Sequence, residues 1–177
     1  MNRVSWEPIF EDSICKIPLP HNKSALIDSE DYEKVKNYKW SVNRAGYVIS
    51  NESHRIEDHR YIYLARIIME APDDLLIDHI WHNKLDNRKS ELRFATPSQN
   101  NMNMVLRKDN TTGFKGIDKK KNRYRARIQV DNKEICLGWF DKIEDAVAAR
   151  KRAEITYHKE YRFKGGQDGI ARNSVFA

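Results

Sequence analysis

Apolar and polar residues alternate most strictly over Arg123–Val130, and this stretch predicts a half-buried strand. Tyr124, Ala126, Ile128 and Val130 fall on one face, and Arg123, Arg125, Arg127 and Gln129 on the other, because successive side chains of a strand point to opposite sides. Asp131-Asn132-Lys133 reads as a turn and 134–140 as the next strand. A short strand is expected before them, over 113–117. Asp141 and Glu144 have capping-box spacing. Behind them Ile143, Ala146, Val147, Arg150, Ala153 and Tyr157 recur at helical spacing. The pattern predicts a three-stranded antiparallel sheet packed on one helix over 113–164.

The first 70 residues have a different pattern, β-rich with one helical insert. Pro18 and Pro20 exclude helix and make 16–20 extended. Ala25-Leu26-Ile27 reads as a short strand. Ser29, before the acidic Glu30 and Asp31, resembles a helix start. The stretches 39–42 and 46–50 read as strands around a turn at Asn43-Arg44-Ala45. The apolar run 60–69 could be a strand running into a helix, and periodicity alone leaves that open. Trp40, Tyr47, Tyr61 and Tyr63 are expected in the core.

The middle of the chain is punctuated by polar residues. Leu75-Leu76-Ile77 leads a strand that ends at Asp78-His79. A loop follows over 81–86. Asp86 or Asn87 is a plausible N-cap for a short helix over 88–93, which Pro97 would end. A second short helix starts at Pro97. The polar, basic stretch 106–112 reads as a linker, dividing the chain into 1–105 and 113–164, with a loose Gly-rich tail from Gly165. An α+β protein of two small modules is expected.

Charge changes this picture in one place. The chain of 177 residues carries 32 Lys/Arg and 26 Asp/Glu, a net +6. Ten of the basic residues and only three of the acidic ones lie between Leu106 and Lys133, leaving 22 basic and 23 acidic elsewhere. A basic excess confined to one stretch marks a surface for polyanions. A solvated Lys/Arg face would look the same. Cys15 and Cys136 lie far apart, so neither a disulfide framework nor a thiolate zinc site is indicated, and a reducing compartment fits. No apolar run approaches the ~18 residues of a membrane helix, and Met1–Glu7 has no signal-peptide core. A cytoplasmic protein is expected.

The candidate chemistry lies at Asp78-His79. Phosphodiesters resist hydrolysis because their charge repels nucleophiles and their leaving alkoxide is poor. A divalent cation addresses both problems. Oxygen ligands suit Mg²⁺, and an imidazole can take a proton from water near neutral pH. On a helix over 88–93, Asn87 and Glu91 would stand at i, i+4 and share a face. Glu91 could then add a second carboxylate, and Asn87 could accept the imidazole N–H and fix its tautomer. Taken alone, the Asp-His pair reads more readily as a salt-bridged surface pair.

These residues carry a family resemblance. Asp78-His79-Ile80, Leu85-Asp86-Asn87-Arg88, Glu91-Leu92-Arg93 and Thr96 with Gln99-Asn100 resemble the HNH (ββα-metal) nucleases. The phage- and intron-associated homing endonucleases are the group they look most like. Pro18-Leu19, Ala25-Leu26-Ile27-Asp28, Asp31-Tyr32 to Trp40 and Arg66-Ile67-Ile68-Met69 are similar to that group's leader region. Gly113-Phe114-Lys115-Gly116-Ile117, Tyr124-Arg125-Ala126-Arg127-Ile128, Leu137-Gly138-Trp139-Phe140 and Glu144-Asp145-Ala146 resemble the AP-two/ERF DNA-binding domain.

The first resemblance implies a ββα-metal nuclease module in which Asp78 is a metal ligand, His79 the general base and Asn87 the residue that orients it. The cofactor would be Mg²⁺, with Mn²⁺ able to substitute. The position of Glu91 usually holds Asn or His as the second metal ligand; a glutamate there is longer and adds charge. The family commonly has His-Arg where this chain has Ala65-Arg66. The second resemblance implies that the sheet lies in the major groove. Arginine can pair bidentately with guanine, so Arg123, Arg125, Arg127 and Gln129 would read bases. Lys115, Lys119, Lys120, Lys121 and Lys133, with Arg88 and Arg93, would contact the DNA. Trp139 is expected as a core anchor. Double-stranded DNA is the implied partner of a monomer in a bacterial or phage-infected host cell. The alternatives are a catalytically impaired DNA-binding regulator and an RNA-binding protein. Paired exposed aromatics, which stack single-stranded bases, are absent from the sheet sequence.

Overall fold

A computed structural model describes residues 7–51, 61–106, 109–131 and 133–164. Arg60, Asn132 and the expected tail from Gly165 lie outside the described residues. The chain forms two compact units, Met1–Phe94 and Ala95–Ala177, and the expected linker 106–112 falls within the second. The architecture is mixed, with small sheets and short helices. No helix among the described residues is long and apolar enough to cross a membrane.

The first unit opens with a three-stranded antiparallel sheet of β1 (Ile9–Glu11), β2 (Ile14–Leu19) and β3 (Lys23–Asp28). Strict alternation buries Cys15, Ile17 and Leu19 of β2 and Ala25 and Ile27 of β3. After a 3₁₀ turn comes α1 (Tyr32–Val35), without the side-chain cap expected of Ser29. A second antiparallel sheet joins β4 (Trp40–Val42), β5 (Val48–Ser50) and β6 (Ile62–Tyr63). The ambiguous apolar run resolves into β6 followed directly by α2 (Leu64–Ile68). Trp40, Val48, Leu64, Ala65 and Ile68 join the first sheet's apolar face in one core. Trp40 is buried as expected, but Tyr61 and Tyr63 are exposed.

Next come β7 (Leu76–His79), a 3₁₀ turn at Lys89–Glu91 and β8 (Leu92–Ala95), with β7 and β8 forming a two-stranded sheet. The helix expected over 88–93 does not form. Its backbone is claimed by β3: Asn87 N–H donates to Leu26 O at 2.7 Å, Leu26 N–H to Leu85 O at 2.8 Å, and Lys89 N–H to the Asp28 carboxylate at 2.8 Å. An extended chain tied to a strand edge cannot also make i→i−4 bonds. Asn87 and Glu91 therefore share no helical face.

The second unit starts with α3 (Pro97–Met102), capped by a full capping box between Thr96 and Gln99. The sheet follows as β9 (Ile117–Lys120), β10 (Arg123–Val130) and β11 (Lys133–Phe140), all antiparallel with β10 central. The first strand thus begins at Ile117, where the expectation had it end; Gly113 and Gly116 take positive φ and turn the chain there. Helix α4 (Ile143–Ala153) packs on β10 and β11 around Ile117, Ala126 and Ala146. Lys142 takes its N-cap position, and Asp141 pairs instead with Arg123 at 3.0 Å.

At its C-terminus α4 widens into a π turn, Glu154–His158. A π turn shifts the helical phase by about one residue. Tyr157 is consequently exposed and His158 buried. Beyond the end of β9, side chains replace a missing strand partner for β10. Arg150 Nη1 donates to Arg127 O at 2.6 Å, and His158 Nε2 donates to Gln129 O at 2.9 Å. A Cβ on Gly116 would collide with Arg127 O and crowd the Arg150 guanidinium, so the glycine is required by close approach.

Candidate functional site

Arg66 of α2 sets the entry to β7. Its guanidinium donates to the carbonyls of Ala71 at 3.2 Å, Pro72 at 2.8 Å and Leu75 at 2.8 Å. The strand so placed ends with Asp78 and His79, both 6% exposed. Alternation breaks down at this strand end because both sides are covered. His79 lies against Tyr47, ring centroids 5.9 Å apart, and Asp78 lies against Arg93. The pair is buried rather than a surface ion pair.

His79 Nε2 is 3.3 Å from Asn87 Oδ1. The amide orientation follows from its other end, where Asn87 Nδ2 donates to Lys84 O at 3.4 Å. With Oδ1 as the acceptor, Nε2 carries the proton and Nδ1 the lone pair. Burial lowers the His79 pKa, and Lys84 lowers it further, against opposing effects of Asn87, Asp78 and Asp86. The imidazole is thereby favoured in its neutral, basic form.

Tyr47 and Lys84 complete the surroundings, and sequence reasoning missed both. Lys84 Nζ donates to Ala45 O at 2.7 Å and sits 4.1 Å from the centre of the Tyr47 ring. Its pKa is lowered by burial, and that of Tyr47 is raised by burial and by Asp78. Position in the loop before Asn87 was the only available signal for Lys84. Tyr47 had none beyond an aromatic in a hairpin.

Arg93, expected at DNA, is ion-paired with Asp78. Nε and Nη2 lie 2.8 and 2.6 Å from Oδ2. Arg88 likewise pairs with Asp86, at 2.8 and 2.6 Å. The Glu91 pKa is raised by burial and by Asp86, against Arg88. The charges acting on Glu91 are thus those of Asp86 and Arg88. Among the described residues, no three His, Cys, Asp or Glu side chains gather into a cluster able to hold a metal ion. Glu91 stands in a 3₁₀ turn rather than on a helix, and its backbone carbonyl accepts from Ile80 N–H at 2.9 Å, beside the end of β7.

The second unit presents the arginine face as the alternation predicts, with additions. Register puts Asp118 and Lys120 of β9, and Glu134, Cys136 and Trp139 of β11, on the same face as Arg123, Arg125, Arg127 and Gln129. A bulge between Ala126 and Arg127 shifts β11 and turns Trp139 outward. Trp139 is therefore 40% exposed and not a core anchor. Asp118 is ion-paired with Arg125 and Arg127. Partial burial works against it, but hydrogen bonds from the two arginines hold its pKa below the usual carboxylate range.

The lysines divide. Lys119 lines up with Tyr124, on the other face, and Lys133 with Val130. Lys120, Lys121 and Lys133 are exposed at the sheet's ends. Lys115 turns its ammonium toward backbone carbonyls. Its ammonium donates to the carbonyls of Asn101 at 3.3 Å, Met102 at 2.9 Å and Met104 at 3.0 Å, closing the C-terminus of α3. Burial lowers its pKa to about 8.

A protein of Acanthamoeba polyphaga mimivirus named an uncharacterized HNH endonuclease is 37% identical over 105 residues, 59% of this chain and 54% of its own length. Protein 3.8 of Escherichia phage T7 is 37% identical over 65 residues, 36% of this chain and 54% of its own length. The chain spans about half the length of these curated relatives. No family model matches it, and no solved structure does.

Proposed function

We propose that the protein is a metal-dependent DNA endonuclease of the HNH kind, with the second unit as its DNA reader. The observation that carries this reading is the buried His79–Asn87 pair, in a chain similar to a named HNH endonuclease. His79 Nδ1 would take the proton of a water as its oxygen attacks phosphorus, and the bond to the 3′ oxygen would break, leaving 5′-phosphate and 3′-hydroxyl ends. Asn87 would act on His79, holding the ring and its tautomer. Tyr47 would cover one side of the ring and exclude water.

Asp78 is a carboxylate donor suited to Mg²⁺, or Mn²⁺ in its place. Mg²⁺ is commonly held by one or two carboxylates plus substrate phosphates, so a three-residue cage is not required. The ion would supply charge stabilisation to the phosphoryl oxygens and the leaving oxygen. Glu91 would be the second carboxylate of this reading. Duplex DNA as substrate, targeting by the Arg125–Arg127 face and a homing role belong to the same proposal.

Plasmid cleavage with Mg²⁺ or Mn²⁺, with and without chelator and with product ends mapped, tests it. Chelator-insensitive cleavage, or normal nicking by His79→Ala, would sink the assignment. A second reading, a DNA-binding regulator without cleavage, is favoured by the engagement of Asp78 with Arg93 and of Glu91 with its own loop. Absence of metal-dependent cleavage together with salt-sensitive duplex binding would select it. A large gain of cleavage in Glu91→Asn would mean that the natural residue impairs the site.

A further inference from the structure

The arginines on the outer face of the second unit's sheet do not stand alone. Asp118, on β9, reaches two of them: Oδ2 is 2.9 Å from Arg125 Nη2 and 2.8 Å from Arg127 Nε. Glu134, on β11, reaches the same two: Oε1 is 3.5 Å from Arg125 Nη1 and Oε2 is 2.5 Å from Arg127 Nη1. Two cations and two anions thus form a closed ring across three strands, with no net charge. All four side chains remain between 32% and 45% exposed.

A face that only attracted phosphate would gain nothing from these acids. Each carboxylate lowers the local potential and repels a phosphate. Exposed ion pairs also add little stability, so the fold gains little from them. What the ring supplies is orientation. An arginine held by carboxylates from two neighbouring strands cannot swing freely toward backbone phosphates, and the order already imposed need not be paid for on binding.

The ring's chemistry matches base edges of duplex DNA. Arginine donates to O6 and N7 of guanine, and a carboxylate accepts from N4 of cytosine. The same carboxylate is repelled by an edge that presents only acceptors, which penalises wrong sequences. Backbone contacts are left to the exposed lysines, Lys120 and Lys121 at one end of the sheet and Lys133 at the other.

We infer that Asp118 and Glu134 are specificity-determining residues of a duplex-DNA-reading face, fixing Arg125 and Arg127 for base contact and rejecting mismatched edges. This rests on the reading that the second unit binds duplex DNA. Register adds an independent point: the two acids pair across the strands with Arg125 and with Gln129, so the ring is set by strand pairing as well as by side-chain reach.

The test is selection from a random duplex library by the full chain carrying His79→Ala, so that bound DNA survives. It is repeated with Asp118→Asn, Glu134→Gln and both together. Bulk duplex affinity should rise roughly threefold to tenfold, with a steeper salt dependence. Enrichment at G·C positions of the selected motif should fall about tenfold. Higher affinity with an unchanged motif would overturn the inference, leaving the acids as mere neutralisers; an unchanged affinity and motif would overturn it too. Arg125→Lys with Arg127→Lys keeps the charge but not the planar fork. It should keep bulk affinity and lose the motif, and a retained motif counts against the inference even if an acid variant fails to fold. The underlying reading fails separately: the parent protein would then select no duplex motif, bind duplex without salt dependence, or prefer single-stranded RNA.

Discussion

The two units treat their charged residues in opposite ways. In the first, Asp78 and His79 are buried, Asp78 against Arg93 and His79 against Asn87 and Tyr47. In the second, Arg125 and Arg127 stay exposed and share two carboxylates. Burial makes each partner in the first unit costly to lose, and it shifts the His79 imidazole toward its neutral form. Exposure makes the second network cheap to open. On the proposed reading the buried groups would serve chemistry and the exposed network recognition, and solvent exposure makes the difference.

The largest expected effect breaks the first half of the comparison. His79→Ala should lower metal-dependent plasmid cleavage by about 10² to 10⁴ while duplex binding persists in a gel-shift assay. Arg93→Ala comes next. It leaves Asp78 buried without its cation and should cost about 3–5 kcal/mol of unfolding free energy. Arg125→Ala, on the exposed network, should cost less than about 1 kcal/mol in the same urea titration. Equal losses from the two variants would refute the contrast between the units.

Lys115→Met sharpens the picture inside the second unit. It removes the donor to three carbonyls at the end of α3 and should destabilise that unit by about 2 kcal/mol, with no change in the salt dependence of DNA binding. A reduced salt slope would return Lys115 to the phosphate contacts.

The smallest effect is one of pH. The His79 pKa lies below its ordinary 6.5 in the folded chain, so the base is already deprotonated at neutral pH. The acid limb of the pH–rate profile should lie below 6.5 and move upward in Asn87→Ala only if desolvation is relieved as well. The linked stability is fully present above the unfolded value and is lost as pH falls through the folded one. Buried His158 is shifted in the same direction for the same reason, so acid should weaken both units as each imidazole takes up its proton.

Much of the second unit was legible because its pattern is local. A strict alternation over β10 and a helical repeat over α4 need only neighbouring residues to be read, and both elements formed. The misreadings there also have local causes. The bulge beside Ala126 sent Trp139 outward, and the π turn exchanged Tyr157 for His158. Neither leaves a mark in the apolar period. In the first unit, the strand ending at Asp78-His79 was legible from its apolar lead, but the segment after it was not. A cap-like Asp86-Asn87 before Arg88–Arg93 reads as helix until β3, some sixty residues earlier, takes its backbone hydrogen bonds.

The sequence by itself determined the elements whose periods are short, the basic excess near β9 and β10, and the acid and imidazole side by side. Only the tertiary structure decided which partner each charge has. It gave Arg93 to Asp78, Asn87 to His79, three carbonyls to Lys115, and Asp118 with Glu134 to the two arginines. Periodicity fixes which face a side chain takes, because that follows from backbone geometry within one element. Partnership depends on which strands lie side by side and how far each is displaced along its neighbour, and one bulge or one borrowed hydrogen bond changes both.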